Sequence, residues 1–459
     1  MPWKQHLLLT AALSLCFAGT SGAQPSPGPT PEQAPPAQQP TQPTPSGVVL
    51  ELSGGQVQLL KLAFPAFVRR DSLAGAARDA AQEFESTLRA DLQETRVFEI
   101  QGPEAFSVLT LTGDRARDFE QYRSLGNDLI LSGDLLRDGD RLVFEGSLFD
   151  LSDGKSILGK RYRGGFEIAR QMAHTFADEI LSYLTGRTGI ARTSIAFASD
   201  RDQAGRKEIY VMDYDGFNQH RLTAHRSTSM SPSWAPDGSG VAYTSFVGGA
   251  PGVYFAVVAT GLKSPIKTDG RFNVSPSISP DGSRVVFARS LDGNIEIFVA
   301  NRDGSNARQL THSSAIDTNP AWSPKGNEIA FTSSRAGSPQ IYVMDPEGTN
   351  LRRLSFDGEY NDNAAWSPDG TQVAYSSRRN GRFQIAVTDI VTLATRVLTQ
   401  GPGNQEDPTF SPDGRRIAFS VKRGNSKQIW VMDTDTGGNQ RALTTLGNNE
   451  SPSWSPYPP

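Results

Sequence analysis

Residues 366–370 read Trp-Ser-Pro-Asp-Gly, and close copies of this five-residue turn recur every 44 residues through the C-terminal half of the chain. In such a turn, proline presets φ, aspartate bonds its own backbone, and glycine takes the position with positive φ. The turn's proline falls at six positions: Pro236, Pro280, Pro324, Pro368, Pro412 and Pro456. The constant step predicts a repeat protein whose units share one structure.

Each repeat carries four short apolar segments separated by Gly, Pro, Asp and Asn. In the unit around Pro324 these segments lie at residues 322–323, 329–332, 341–344 and 352–355. β-branched and aromatic residues dominate them, as expected for strands rather than helices. A period in the low forties with four strands per unit is typical of a β-propeller, in which each unit forms one blade.

The second strand of the unit occurs six times, so we expect six blades. The first unit, residues 193–223, begins directly with this second strand and lacks a first strand of its own. A first strand without a following unit stands at the other end, at residues 451–456. We therefore expect the C-terminal strand to pair beside Ile195 and close the ring, which removes the open sheet edges of a linear array.

Residues 47–189 have a different pattern and are predicted to form a separate α/β domain, followed by the propeller at residues 190–459. Apolar residues recur at helical spacing in residues 73–93, 115–125 and 166–184. Strands are predicted at 56–64 and 129–131, with a meander over residues 142–158. In the last helix, His174 is expected on the polar side.

Residues 1–23 read as a secretory signal, with Lys4 ahead of an apolar stretch and small residues before the expected cleavage site. Cys16, the only cysteine, lies in that stretch and would be removed with it. Lipid attachment at Cys16 is an alternative, but the bulky Leu15 before it suits lipoprotein processing badly. We expect an exported, cysteine-free mature protein.

Residues 24–46 form a Pro-rich linker with nine prolines and a single charged residue, Glu32. Such a composition favours an extended, semi-rigid tether. It is also compatible with a recruitment tail that a partner binds as a polyproline helix.

Charge and motif content point away from nucleic-acid binding and from catalysis. The formal net charge is only −4, and the basic residues look scattered along the sequence, whereas a nucleic-acid surface needs clustered Lys and Arg. No nucleophile elbow, phosphate-binding loop or His-Glu-x-x-His motif is present. We therefore expect no enzyme activity, no cofactor and no metal. A peptidase built on this propeller type would need a hydrolase domain after it, and this chain stops at Pro459.

Two weaker metal interpretations remain open at this stage. His220 and His225 lie five residues apart and could form a zinc pair, although no further ligand stands at a suitable spacing. Acidic loops at residues 213–216 and 433–437 suggest calcium, but both lack the glutamate that ends an EF-hand loop. Because related loops recur at the same point of other repeats, hairpin turns are the simpler interpretation.

A polar run precedes the first strand of every repeat. First strands line the channel of a propeller, so these runs should converge on one rim and form a concave face that suits a protein ligand. The alternative is that they only keep the channel mouth hydrated. The candidate partner-binding residues are Phe272, Asn273, Ser275, Thr318, Asn319, Asp362, Asn363, Asp407 and Glu450.

Together these features resemble the TolB family, periplasmic components of the Tol-Pal system. The resemblance rests on the junction at residues 191–196, the run at residues 213–219, the repeated Trp-Ser-Pro-Asp-Gly turns and the closing segment at residues 452–457. It implies a non-catalytic adaptor whose propeller rim binds Pal, the peptidoglycan-associated lipoprotein, and whose N-terminal segment contacts the inner-membrane protein TolA. It also implies a role in outer-membrane integrity and in invagination at cell division.

Carried over by motif position, the family's Pal contacts correspond to Phe272, Ser275 and Thr318, and Phe272 stands where family members can carry histidine. The Pro-rich linker departs from the family pattern, because the TolA-binding segment there follows the cleavage site directly. Two other functions remain open: an exported propeller that binds peptide or glycan outside any Tol-Pal system, and the regulatory half of a peptidase or lyase.

Overall fold

The computed structural model describes residues 59–70, 73–269, 272–291 and 293–458. The predicted signal peptide and Pro-rich linker lie outside these residues, as does the beginning of the strand predicted at residues 56–64. Among the helices of the described part, none has the length and apolar character needed to cross a bilayer. The predicted domain limits at residues 47, 189 and 190 stay predictions.

The described N-terminal residues form an α/β unit around a mixed sheet. Its strands are β1 (Leu60–Ala63), β2 (Val68–Arg69), β3 (Phe98–Gln101), β4 (Leu129–Asp138), β5 (Arg141–Asp150) and β6 (Ser156–Gly165). The helices are α1 (Ala76–Glu94), α2 (Arg115–Ser124) and α3 (Ala169–Thr185), with short 3₁₀ turns at Pro103–Phe106 and Phe166–Ile168. The strand order is β3-β1-β4-β5-β6, with β2 pairing on β4.

Side chains of β5 alternate between two apolar layers, because neighbouring residues of a strand point to opposite faces. Phe144 packs against Phe84 of α1, with ring centroids 4.4 Å apart, and against Phe176 of α3 at 5.3 Å. On the other face, Phe149 packs against Phe119 of α2 at 5.1 Å. The sheet is therefore covered by α1 and α3 on one side and by α2 on the other.

The predicted helices are present, with ends that differ by a few residues from the sequence pattern. Two helices begin three residues later than predicted: α1 at Ala76, and α3 at Ala169, where the preceding turn, Phe166–Ile168, is a 3₁₀ helix. His174 lies on the polar side of α3, together with Arg170 and Asp178, as expected, but this side of the helix is not exposed. Its side chain is buried, because the face of α3 opposite the sheet packs against the propeller.

Residues 194–454 form six four-stranded sheets, as the repeat count predicts. We number the blades in order of their inner strands: Ser229–Trp234, Asn273–Ile278, Asp317–Trp322, Tyr360–Trp366, Asn404–Phe410 and Asn449–Trp454. The second strands are Gly240–Ser245, Arg284–Leu291, Ile329–Ser333, Gln372–Arg379, Arg416–Arg423 and Ser194–Ser199. The third strands are Gly252–Val257, Asn294–Asn301, Gln340–Met344, Arg382–Asp389, Ser426–Asp433 and Glu208–Asp213. The outer strands are Lys263–Pro265, Arg308–Gln309, Arg352–Arg353, Thr395–Val397, Arg441–Ala442 and His220–Arg221.

Blade 6 combines the two ends of the propeller, which confirms the predicted closure. Trp454 pairs with Ile195 and Ser453 with Ala196 in an antiparallel ladder. The Trp454 indole N–H donates to Thr193 Oγ1 at 2.8 Å, and the indole is 6% exposed. The C-terminal strand is therefore anchored by backbone pairing and by a buried aromatic side chain.

Successive strands of a blade are antiparallel, so their connections alternate between two faces of the wheel. One face, which we call the rim face, carries the hairpins between second and third strands and the loops that enter each inner strand. Backbone hydrogen bonds join these two sets of loops, as from Phe246 N to Thr228 O at 3.0 Å. The opposite face, the turn face, carries the Pro-Asp-Gly turns and the connections to the outer strands.

The α/β unit packs on the turn face of blades 5 and 6. Arg170 of α3 donates to Asp215 Oδ2 of blade 6 at 2.5 Å. Glu94 at the end of α1 forms ion pairs with Arg416 at 2.7 Å and with Arg441 at 3.3 Å, both in blade 5. The rim face of the propeller lies on the side away from this contact.

His174 lies at the centre of the contact between the α/β unit and blade 6. Its Nδ1 is 2.7 Å from Asp91 Oδ2 of α1, and its Nε2 is 3.7 Å from Asp213 Oδ2. Tyr214 of blade 6 donates to the other oxygen of Asp91 at 2.8 Å. Burial opposes protonation of His174, but the carboxylates of Asp213 and Asp91 outweigh it and raise its pKa to about 9. The imidazolium thus links both bodies at neutral pH.

Removing residues 451–459 is expected to destabilise the propeller, because blade 6 then loses its inner strand and the ring opens. Loss of the buried Trp454 side chain alone should lower the free energy of unfolding by at least about 3 kcal/mol. A truncation that removes only residues 457–459 keeps the ladder and is the control. Urea denaturation followed by tryptophan fluorescence measures both; equal stability of the two truncations would contradict closure.

Replacing His174 by Asn should flatten the pH dependence of the free energy of unfolding. The pKa of His174 is higher in the folded state than in the unfolded state, where it is about 6.5, so its protonation stabilises the folded state fully below that unfolded-state value. This contribution, roughly 3 kcal/mol at most, is lost as the pH rises through about 9. Urea unfolding at pH 6.5 and pH 9.5 measures it. His220→Asn is the control, since His220 is exposed; a native-like pH profile in His174→Asn would exclude the imidazolium as the link.

Candidate functional site

One residue in each inner strand departs from regular β geometry. The ladder between the inner and second strands shifts its register at this residue in all six blades, which indicates a β-bulge. The bulged residues have φ between 49° and 57° and are Ser231, Ser275, Asn319, Asn363, Asp407 and Ser451. Short polar side chains tolerate this left-handed conformation better than bulky ones, which explains the residue types.

The bulged residues, which we call the channel ring, stand around the propeller axis, and hydrogen bonds join five of them. Ser275 Oγ donates to Asn319 Oδ1 at 2.8 Å, and Asn319 Nδ2 donates to Asn363 Oδ1 at 2.6 Å. Asn363 Nδ2 donates in turn to Asp407 Oδ1 at 2.6 Å, and Ser451 N donates to Asp407 Oδ2 at 3.2 Å. Residues 44 positions apart are therefore neighbours, and the chain of donors ends on a carboxylate.

The sector of the ring at blades 5 and 6 is charged. Lys427 Nζ lies 3.3 Å from Asp407, 3.4 Å from Glu406 and 3.5 Å from Glu450, and Lys207 forms a second ion pair with Glu450. Burial disfavours the charge on Lys427, but these three carboxylates outweigh it and raise its pKa. Burial likewise opposes ionisation of Asp407, yet Lys427 and Ser420 lower its pKa. Asp407 and Lys427 are therefore a fixed ion pair.

A second sector of the rim lies at blades 2 to 4. Asp362 Oδ1 accepts hydrogen bonds from Thr332 at 2.6 Å and from Asn319 at 2.8 Å, while burial raises its pKa. Thr318 is half-buried, and its Oγ1 lies 3.5 Å from Asn319 Oδ1. Phe272 is half-buried at the entrance of the inner strand of blade 2, and its carbonyl accepts from Ser290 N.

The structure brings most of the predicted rim residues together, but Asn273 is an exception. Its side chain is 2% exposed and accepts a hydrogen bond from Arg289 Nε at 2.9 Å. The residues two positions before the bulged residue in the other inner strands are also buried; Asp317, for example, pairs with Arg335 at 2.8 Å. Side chains of a strand point alternately to its two faces. The residue two positions before each bulged residue therefore points into its own blade and not onto the rim.

Sequence reasoning missed Lys207 and Lys427, which neutralise the rim carboxylates. Both lie in or beside hairpins between second and third strands, about 20 residues from the loops that the sequence analysis singled out. The positions of both lysines relative to the inner strands follow from strand pairing within their blades. In blade 5, for example, Lys422 of the second strand pairs with Asn404 of the inner strand and with Lys427 of the third strand. Counting positions across the hairpin could have found them.

The histidine and acidic-loop interpretations find little support in the described residues. His220 Nδ1 contacts Asn218 O at 2.9 Å, and His225 Nε2 contacts Tyr243 OH at 2.7 Å, so the two rings have separate partners. The one group with metal-ligand spacing in the described residues is His174, Asp213 and Asp215. Arg170 already lies 3.6 Å from Asp213 and 2.5 Å from Asp215, so a guanidinium takes the place of a cation there. The acidic loops form the predicted turns.

A second concavity, of about 880 Å³, lies between the α/β unit and blade 5. Apolar side chains of α3 and the following segment, among them Leu181 and Ile190, line one wall, and Arg187 and Arg415 stand at its border. It is on the turn face and separate from the channel ring.

Comparison with known proteins is consistent with this architecture. The family model of the TolB beta propeller domain matches residues 181–458, and that of the TolB amino-terminal domain matches residues 48–157. The crystal structure of TolB from Acinetobacter baumannii superposes with a TM-score of 0.73 at 26% identity, over 87% of this chain and 97% of that one.

Curated relatives match over a shorter stretch. Protein TolB homolog from Chlorobium chlorochromatii is 34% identical over 197 residues, which is 43% of this chain and 44% of the relative. Tol-Pal system protein TolB from Desulfosudis oleivorans is 36% identical over 178 residues, 38% of this chain and 40% of the relative. The matches thus span less than half the length of these relatives, whereas the propeller model covers most of this chain. The chain belongs to the TolB family of β-propeller proteins.

Proposed function

We propose that this protein is a non-catalytic adaptor of a Tol-Pal system that binds a Pal-like, peptidoglycan-associated lipoprotein on the rim face of its propeller. In this role it acts in the periplasm, after export by its N-terminal signal, and contributes to outer-membrane integrity and to invagination at division. A TolA-like inner-membrane protein is the proposed second partner, through the N-terminal segment.

The observation that carries the proposal is the channel ring on a face that the α/β unit leaves free. Loops that converge on a rigid scaffold supply a concave surface with many hydrogen-bonding groups, which suits a globular partner. Two curated relatives, from Desulfosudis oleivorans and Geobacter metallireducens, carry the name Tol-Pal system protein TolB. Membership of the same family supports the same role for this chain.

The chemistry of the rim residues suits binding of a partner better than catalysis. Its carboxylates accept hydrogen bonds or pair with lysines, as Asp407 does with Lys427. A general acid or base needs a pKa close to the working pH and access to the substrate's proton. Asp407 instead has a lowered pKa and is engaged on both oxygens. Such a group holds the ring in shape and is not available for proton transfer.

Thr318→Arg should weaken binding of the purified soluble domain of the Pal-like lipoprotein by about tenfold or more, because a bulky charge replaces a small side chain within a packed contact. Thermal unfolding should change little, since Thr318 is half-buried and its hydroxyl makes only a long contact. Isothermal titration calorimetry with the mature chain measures the affinity. Ser275 is a less clean test, because its φ of 53° strains bulky replacements.

Thr260→Arg, in an exposed connection on the turn face of blade 1, is the matched control. It should bind like the native chain. A native chain that shows no affinity for the lipoprotein, or that binds peptides or glycans instead, would exclude the adaptor role. A shift in unfolding as large as the loss of binding would exclude Thr318 from the contact surface.

A further inference from the structure

The hairpins between second and third strands differ sharply from blade to blade on the rim face. Those of blades 4 and 5 carry five basic residues, which we call the basic crescent: Arg378, Arg379, Arg382, Lys422 and Arg423. All except Arg379 are exposed, and Arg379 is half-buried. The two hairpins belong to adjacent blades, so residues about 40 positions apart in sequence form one positive edge of the face.

The crescent has little negative charge to balance it within the described residues. Glu359 is the one carboxylate within ion-pair distance, 4.0 Å from Arg378 Nε. Asp357, in the same loop, makes no ion pair with these residues. Arg423 stacks on Trp430, with its guanidinium 4.7 Å from the ring centroid. Lys422 acts electrostatically on Glu406, which is shared with Lys427, but within the described residues neither Lys422 nor Arg382 has a carboxylate at ion-pair distance. These charges are available to an outside partner.

Turn geometry forces like charges together at the tip of blade 4. Asn380 and Gly381 have φ of 51° and 77°, as in a two-residue type I′ hairpin, and this turn sets Arg379 directly opposite Arg382. Like charges in this arrangement are destabilising. In addition, Arg379 has a buried NH2 group with no hydrogen-bond partner, and its Nε donates to Ser377 at 3.2 Å. An anionic group at this tip would satisfy the guanidinium and relieve the repulsion.

The other side of the rim face has a different character. In a six-bladed wheel, blade 1 stands opposite blade 4, and its hairpin exposes Phe246 and Val247, which are 36% and 42% exposed. Between blades 4 and 1 on this face lie the carboxylates of Glu406 and Glu450, which are paired with lysines. The face therefore offers an apolar edge, a hydrogen-bonding centre and a positive edge.

We propose that the basic crescent is an electrostatic docking edge, which meets an acidic surface of the protein bound on the rim face and accelerates its association. The inference rests on the proposed function, since it concerns the same bound partner. A protein suits this mixture of apolar, polar and basic contacts. A flat anionic membrane would meet Phe246 on one side and the central carboxylates in the middle, so only one edge could gain from its charge.

Arg382→Glu and the double variant Arg382→Glu/Lys422→Glu test the crescent in the mature chain. At about 50 mM salt, the association rate constant with the soluble domain of the Pal-like lipoprotein should fall roughly threefold for the single variant and about tenfold for the double variant, with little change in the dissociation rate. At about 500 mM salt the differences should largely disappear, because exposed charges are screened. Stopped-flow fluorescence measures both rates.

Lys325→Glu is the matched control, since Lys325 is exposed on the Pro-Lys-Gly turn of blade 3, on the turn face. It should associate like the native chain. Arg382→Gln should give an intermediate rate, and neither change at Arg382 should lower the unfolding temperature, because each removes a like-charge pair. Equal slowing by Lys325→Glu would show a general charge effect and overturn the docking edge.

Outcomes for the crescent and for the adaptor role are separable. Native-like association of the double variant, with normal affinity of the native chain, overturns the crescent alone. No lipoprotein binding by the native chain overturns both. Vesicles of phosphatidylethanolamine with phosphatidylglycerol test whether the crescent binds lipid instead. If the double variant loses vesicle binding but associates normally with the lipoprotein, the crescent is a lipid-binding surface and the proposal is wrong.

Discussion

The whole propeller depends on one antiparallel ladder, between the strand at Asn449–Trp454 and the strand at Ser194–Ser199. Every other blade is built from consecutive strands and pairs locally. Blade 6 alone joins residues about 250 positions apart, so ring closure requires the whole repeat array to be in place. Closure covers both terminal sheet edges and fixes the six inner strands at one radius. Without that radius, the channel ring would not form.

The bulge in each inner strand places one residue of every blade at the channel, and these residues together form the candidate site. A regular strand would place residues 44 positions apart on equivalent but separate blade surfaces. The left-handed residue at each bulge lies at the channel, where Ser275, Asn319, Asn363 and Asp407 reach one another. Local backbone strain is tolerated at functional positions when the surrounding structure holds it in place. Here the ladder on either side of the bulge does so.

The two faces of the wheel serve different contacts because antiparallel strands send alternate connections to opposite sides. The turn face holds the α/β unit through a buried set of charged groups around His174, Arg170 and Asp91. The rim face carries the channel ring, the basic crescent and the apolar tip of blade 1. A change on the rim can therefore alter binding without touching the contact between the two bodies.

Sequence reasoning succeeded where the relevant signal is local or periodic. The spacing of the Pro-Asp-Gly turns gave the repeat, the six copies of the second strand gave the number of blades, and the orphan strand around Trp454 gave the closure. The same reasoning located the rim loops, because loop position within a repeat follows from strand order. It failed for Asn273, since the alternation that buries this side chain depends on a bulge two residues later. It also gave no sign that the polar side of α3 at His174 is buried, because this burial comes from a second body and not from its own helix.

What the sequence by itself determined is the architecture: a repeat of 44 residues, six units and a shared last blade, because periodic patterns specify strands and turns one unit at a time. Only the tertiary structure decided the charge arrangement. Arg382 and Lys422 are 40 residues apart and look scattered in the sequence, yet blade packing places them on one edge. Lys427 looks like an ordinary surface lysine, yet it is enclosed by three carboxylates. Electrostatic interactions depend on distance in space, and that distance is set only when the ring closes.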